Sequence, residues 1–167
     1  MNSIAKRLRR GHFDYNNMSM AIYDDFVKRL MDKKDESIIS VRTLAHDVKI
    51  TTNSFYYYYP EGVISLSKDH LSRWLKAHER KIYMPSLTET FVNLSECIAL
   101  KDSDVMLLKL KLRRPQFMQL LAWLIKEVII HANRNKGRHI TEEELLREHD
   151  RHKDTVFGKL FFTTQLI

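Results

Sequence analysis

Apolar residues recur at three- and four-residue intervals along most of the chain, which is the spacing of amphipathic helices. Only four glycines and three prolines are present, which argues against a turn-rich all-β fold. The sequence therefore predicts an all-α protein. The predicted helices cover residues 15–33, 40–48, 52–59, 63–83, 87–100, 105–113, 115–133 and 141 to near the C-terminus.

The pattern divides near residue 60, giving an N-terminal module of residues 1–60 and a helical body of residues 61–167. Within the module, two short helices are joined by about three residues, and the turn holds one apolar residue, Ile50. This arrangement is typical of a helix-turn-helix. Pro60 is expected to end the second helix, because the residue before a proline avoids the α region.

Charge favours a polyanionic partner. The chain of 167 residues has a net charge of +7 and a pI near 9.5. The first thirteen residues hold four cations and no acid: Lys6, Arg7, Arg9 and Arg10. This segment is either a solvated terminus or a basic arm that follows a phosphate backbone or enters a minor groove.

Other classes of protein find little support in the sequence. The single cysteine, Cys97, excludes an intrachain disulfide and is expected to be a small buried hydrophobe. No signal peptide, membrane span, phosphate-binding loop or catalytic triad is recognisable, so we expect no membrane association, no enzyme activity and no cofactor. His149 and His152 flank Asp150 at a spacing that can suit a metal, but a solvated helix face is the preferred interpretation.

Residues 40–60 resemble the DNA-binding helix-turn-helix of the tetracycline-repressor-like (TetR) family. The family pattern is roughly T-V-R-x-I-A-x-x-A-G-V-S-x-G-T-L-Y-Y-H-F-P, and this chain has SVRTLAHDVKITTNSFYYYYP without a gap. The identical positions are Val41, Arg42, Ala45, Tyr56, Tyr57 and Pro60. Lys49 and Asn53 stand where the family has glycine, and Tyr58 where histidine is frequent. Lys49 would be strained if its φ were positive.

The resemblance implies a set of DNA-binding residues in and before the second short helix. These are Ser40, Arg42, Thr51, Thr52, Asn53, Ser54, Tyr57 and Tyr58. Asn53 can bond adenine through two hydrogen bonds, and Thr52 can touch a thymine methyl. The alternative is that all eight are ordinary surface residues.

The four consecutive tyrosines are expected to have different roles. Phe55 and Tyr59 are four residues apart and should face inward, fixing the second short helix to the first. Tyr56 should pack where the next helix begins. Tyr57 and Tyr58 are left to face DNA.

In the body, the resemblance implies a homodimer formed through the last two helices. The apolar residues expected at that interface are Phe117, Leu120, Leu121, Leu124, Val128, Val156, Phe157, Leu160, Phe161, Leu166 and Ile167. The alternative is that both stripes are the subunit's own core. An effector cavity could be lined by Trp74, Met84, Met106, Met118 and Trp123, although plain core is the preferred interpretation of these residues.

The expected function is a transcription regulator, in particular a repressor, that binds a palindromic operator in double-stranded DNA. The family resemblance implies a cytoplasmic protein associated with the bacterial nucleoid, and release by a small-molecule or protein effector. One alternative is a DNA-bound adaptor whose body engages another protein. Another is an architectural protein that binds DNA without sequence specificity.

Overall fold

The computed structural model describes the backbone of residues 3–166 and the side chains of residues 17–160. All regular elements in this range are helices, and the range contains no strand. The helices are α1 (Ser3–Met31), α2 (Val41–Asp47), α3 (Thr52–Tyr58), α4 (Val63–Ala77), α5 (Glu79–Ile82), α6 (Leu87–Ala99), α7 (Asp104–Lys111), α8 (Arg114–Asn135) and α9 (Glu142–Leu166). The predicted all-α class is thus confirmed.

Helix α1 begins at Ser3 rather than at Tyr15. Residues 5–10 of the added segment have good helix propensity and no proline interrupts it, so the helix continues in spite of Gly11. The side chains of Lys6, Arg7, Arg9 and Arg10, predicted as a basic arm, lie outside the described residues.

The single helix predicted over residues 63–83 was wrong, because the chain breaks at His78 between α4 and α5. The ring Nδ1 of His78 lies 2.8 Å from the carbonyl oxygen of Trp74. The backbone N–H of His78 is shared between the carbonyls of Trp74 and Leu75, at 3.1 Å each. This local bonding lets α4 end without a proline or glycine.

The chain divides into two compact units, residues 1–67 and 68–167, and the division falls within α4. The sequence pattern placed it near residue 60. The beginning of α4 belongs to the first unit because Gly62 lies against Val41 and Tyr56. In this unit α1, α2 and α3 pack on one another around side chains that are fully buried: Ile22, Phe26, Leu30, Leu44 and Phe55.

In the second unit α6 and α8 both pack on α9, and α7 contacts α6 and α8. A side-chain hydrogen bond also joins α4 to the start of α7, since His70 Nε2 lies 2.7 Å from Asp104 Oδ2. Cys97 is buried as predicted, and burial raises the pKa of its thiol. None of the helices in the described range has the length and apolarity needed to cross a membrane.

The apolar residues expected at a subunit interface are mostly covered within this chain. Those with at most 3% of their surface exposed are Phe117, Leu120, Leu121, Leu124, Val128, Val156 and Leu160. Phe157 is half-buried, and the side chains of Phe161, Leu166 and Ile167 lie outside the described residues. These seven residues therefore belong to the unit's own core, and a homodimer through the last two helices stays a prediction.

Gly62 offers a direct test of how closely α4 is joined to the first unit. Its φ is +65°, and a Cβ at this position would lie 3.0 Å from Val41 Cγ2. We expect Gly62→Ala to lower the free energy of unfolding by about 2 kcal/mol, from backbone strain plus crowding. Gly137→Ala is the matched control, because φ is +71° there but the Cβ would have no neighbour within 4 Å. If urea denaturation showed that both variants lose the same free energy of unfolding, the close packing at Gly62 would contribute nothing to stability.

Candidate nucleic-acid interface

The turn between α2 and α3 is closed by two backbone hydrogen bonds. The Ile50 N–H donates to Ala45 O at 2.9 Å, and the Lys49 N–H donates to His46 O at 3.2 Å. This pair is the Schellman motif, which places the residue after the C-cap in the left-handed region. Lys49 has φ +61°. Because this φ is positive, Lys49 carries the backbone strain that a residue other than glycine has in the left-handed region.

Two predicted DNA-binding residues, Ser40 and Thr51, are the N-caps of α2 and α3. Ser40 Oγ accepts a hydrogen bond from the Thr43 N–H at 3.2 Å. Thr51 Oγ1 accepts one from the Ser54 N–H at 3.1 Å and lies 3.0 Å from Ser54 Oγ. These hydroxyl groups thus have structural partners within the chain, and they fix where each short helix begins.

The inward face of α3 is as predicted. Phe55 is completely buried, and its ring centroid is 6.0 Å from that of Tyr59. The Tyr59 hydroxyl donates a 2.9 Å hydrogen bond to the carbonyl oxygen of Ser19 in α1. Packing and this hydrogen bond together fix α3 against α1 at its middle and its end.

Most other side chains of α3 are open to solvent. Thr52, Asn53 and Ser54 are exposed, and Tyr57 has 72% of its surface accessible. Tyr58 is only half-buried, with its ring edge-on to Tyr57 at a centroid distance of 5.4 Å. The structure brings these five predicted residues together on one short helix.

Tyr56 is partly packed against the chain and partly exposed to solvent. Its ring lies 3.3 Å from where a Cβ would stand on Gly62, so it packs at the start of α4 as predicted. However, 47% of its surface remains exposed. Tyr56 therefore extends the exposed aromatic surface beyond the residues that the sequence singled out.

The segment that contains α3, residues 48–60, has no acidic residue. Arg42 and Lys49 are exposed beside it. The nearest acid before this segment, Asp47, lies 2.5 Å from Arg29 Nε, and this hydrogen bond lowers the pKa of the Asp47 carboxyl. Residues 48–60 thus carry one cation, Lys49, and no acid, which suits a polyanion, although the exposed acid Glu61 follows directly.

Arg29 is the centre of an ion-pair network that sequence reasoning missed. Besides Asp47 in α2, it contacts Asp25 at 3.7 Å and Asp35 at 3.6 Å. Only the i,i+4 spacing of Asp25 and Arg29 was visible in the sequence, since the other partners depend on tertiary folding. The network joins α1 to the C-terminal end of α2.

Asp25 has an unusual pKa in this network. Burial, a hydrogen bond with Asp47 and the charge of Asp47 raise the pKa of its carboxyl to about 6, although Arg29 acts in the opposite direction. Because two carboxyl groups share one arginine, the protonated form of Asp25 persists to a higher pH than in an ordinary carboxyl group.

The other candidate sites in the sequence do not assemble. His152 is buried and stacks on Phe91 at 4.6 Å, so the expectation of a solvated face is wrong at this position. Burial lowers the pKa of the His152 imidazole. No group of three or more potential metal ligands occurs among the side chains that the structure describes.

The five residues considered for an effector cavity are also dispersed. Trp74 and Met106 are buried in the core. Met84 and Met118 are partly exposed and line different cavities, of about 250 Å³ and 640 Å³ respectively. Trp123 is half-buried, with Lys68 Nζ 5.9 Å from its ring centroid. The preferred interpretation, plain core, therefore holds for Trp74 and Met106.

Comparison with known proteins gives no relative: no family model, curated protein or solved structure matches this chain. The candidate interface therefore rests on the residues and geometry described above.

The Asp25 carboxyl gives the first unit a defined pH dependence. Its pKa is about 6 in the folded chain against an ordinary value of 3.8, so its contribution to stability is complete below pH 3.8 and is lost as the pH rises through 6. We expect Asp25→Asn, whose amide can donate to Asp47, to raise the free energy of unfolding by about 1 kcal/mol at pH 7.5.

At pH 4 the advantage of Asp25→Asn should vanish, as measured by urea denaturation across this range. Asp24→Asn is the control, since Asp24 is an exposed neighbour on the same helix. An advantage of Asp25→Asn that did not change with pH would contradict the raised pKa.

Proposed function

We propose that the chain is a TetR-like transcription regulator in which α1, α2 and α3 form a helix-turn-helix domain and α3 is the recognition helix. One observation carries this proposal. Phe55 and Tyr59 anchor one face of α3, while the other face presents Asn53 and Tyr57 to solvent. A helix that is fixed on one side and carries hydrogen-bonding groups on the other is what major-groove recognition requires.

The exposed groups suit complementary parts of a DNA duplex. Asn53 is suited to adenine and Thr52 to a thymine methyl, while the Tyr57 hydroxyl can bond a phosphate or a base edge. Arg42 and Lys49 are suited to phosphates on either side of the groove. Ser40 and Thr51 are assigned mainly to capping, so their contribution to DNA affinity should be small.

The regulator is proposed to act as a homodimer on a palindrome, with half-sites roughly 34 Å apart. Because the α8 and α9 stripes are largely internal, the second copy must use residues left at the surface. On these helices, Met118 and Leu146 are exposed and Phe157 is half-buried. Of these, Leu146 is the apolar side chain that a symmetric contact can cover without closing the cavity lined by Met118 and Phe157.

Two alternatives make different predictions. A DNA-bound adaptor whose body engages another protein needs no cavity, whereas the body contains one of about 640 Å³, which favours a small effector. An architectural protein would bind random and selected DNA equally, whereas a repressor binds its operator about 10³-fold or more tightly than random DNA.

The function is tested by selecting bound duplexes from a random pool and measuring affinity for the selected site by fluorescence anisotropy. We expect Asn53→Ala and Tyr57→Ala each to weaken binding about tenfold, because each removes a contact worth about 1–3 kcal/mol. Binding to random DNA should change much less.

Asn135→Ala serves as the control, because Asn135 is an exposed asparagine in the second unit. Circular dichroism should show that all three variants remain folded. The recognition-helix assignment is wrong if the two α3 variants bind the selected site as tightly as the original chain.

A further inference from the structure

The second unit contains an open cavity of about 640 Å³ between the end of α7, the start of α8 and the second half of α9. Its walls are largely apolar: Leu112, Phe117, Met118, Leu121, Phe157 and Leu160. Three charged residues also line it, Lys109, Arg114 and Asp154. The volume lies within the range of small-molecule sites, and so does the combination of apolar walls with a few charged groups.

The two cations at this cavity have no acidic partner in the part of the chain that the structure describes. Lys109 Nζ has one hydrogen-bond acceptor, the Leu160 carbonyl at 3.4 Å. Burial and the neighbouring charge of Arg114 lower the pKa of the Lys109 ammonium. An anion bound beside Lys109 would supply a charged acceptor and offset the repulsion from Arg114.

The charge of the lining limits what can bind. Lys109, Arg114 and Asp154 together carry a net charge of +1, so a singly charged anion neutralises the site. An anion with more charge would leave the site net negative and would be repelled more strongly by Asp154. The apolar walls favour a ligand whose remaining part is apolar.

We propose that this cavity binds an amphipathic carboxylate of the fatty-acid type, with its headgroup between Lys109 and Arg114 and its chain against Phe117, Met118 and Phe157. This binding does not depend on the proposed DNA-binding function. Any effect of the ligand on DNA affinity would rest on that function.

Gly158 makes the proposal testable without damage to the fold. It lies on α9 at the cavity, and a Cβ at this position would have no neighbour within 4 Å. The Cβ of a leucine there would meet open space, and the rest of its side chain would extend into the volume that the ligand needs. Leucine also favours a helix over glycine, by about 0.8 kcal/mol.

The experiment is calorimetric titration of the full chain with dodecanoate below its micellar concentration, in the absence of DNA. We expect saturable binding of one dodecanoate per chain. Gly158→Leu should abolish it while the melting temperature stays the same or rises, and Gly158→Ala should keep it within a few-fold.

A second variant tests the headgroup. Lys109→Gln combined with Arg114→Gln should weaken dodecanoate binding by at least about tenfold, while binding of uncharged dodecanol changes little. Arg113→Gln is the matched control, because Arg113 is the adjacent arginine and does not line the cavity.

Three results would overturn the proposal: no dodecanoate binding, binding that survives Gly158→Leu in a folded protein, or a headgroup variant that still binds dodecanoate normally. Because no DNA is present, none of these results bears on the recognition helix. Conversely, loss of specific DNA binding in α3 variants would leave these titrations unchanged.

Discussion

The arrangement of the first unit depends on how α3 is held against α1. Helices of seven residues, such as α2 and α3, are too short to be stable by themselves in water. The buried ring of Phe55 and the hydrogen bond from Tyr59 to Ser19 supply the tertiary support. Arg29 does the same for α2 through Asp47. Helix α1 is therefore the platform on which both short helices are positioned.

This support also explains why the aromatic run is useful. Four consecutive tyrosines after a phenylalanine cannot all be buried by one helix, since successive side chains point about 100° apart. The structure assigns Phe55 and Tyr59 to the core side and leaves Tyr57 outward, with Tyr56 and Tyr58 between these extremes. Rigid anchoring on one face is what allows the side chains on the other to be presented in a fixed geometry.

The sequence was sufficient where local chemistry decides the structure. Hydrophobic periodicity located most helices, and Ser40 and Thr51 cap the helices that were predicted to follow them. The inward positions of Phe55 and Tyr59 followed from their four-residue spacing alone. The sequence also identified Lys49 as the residue that a positive φ would strain. Its φ is positive, and the hydrogen bonds that close the turn fix it there.

Sequence reasoning failed where partners are distant along the chain. The pairing of Arg29 with Asp47 and the stacking of His152 on Phe91 join separate helices, so no local pattern indicates them. The stripe from Phe117 to Val128 had the same appearance whether it faced its own chain or a second copy. The break at His78 involves a contact between its ring and the carbonyl oxygen of Trp74, four residues earlier. Histidine at this position fits an uninterrupted helical pattern, so the sequence did not indicate the break.

The central claim is that the exposed face of α3 contacts DNA, and hydrogen exchange of the full chain tests it most directly. Exchange would be followed by mass spectrometry with and without a duplex selected from a random pool. The account predicts slower exchange in peptides spanning residues 40–59 and little change in those spanning residues 104–135. Protection confined to residues 68–167, or no protection by any selected duplex, would contradict it.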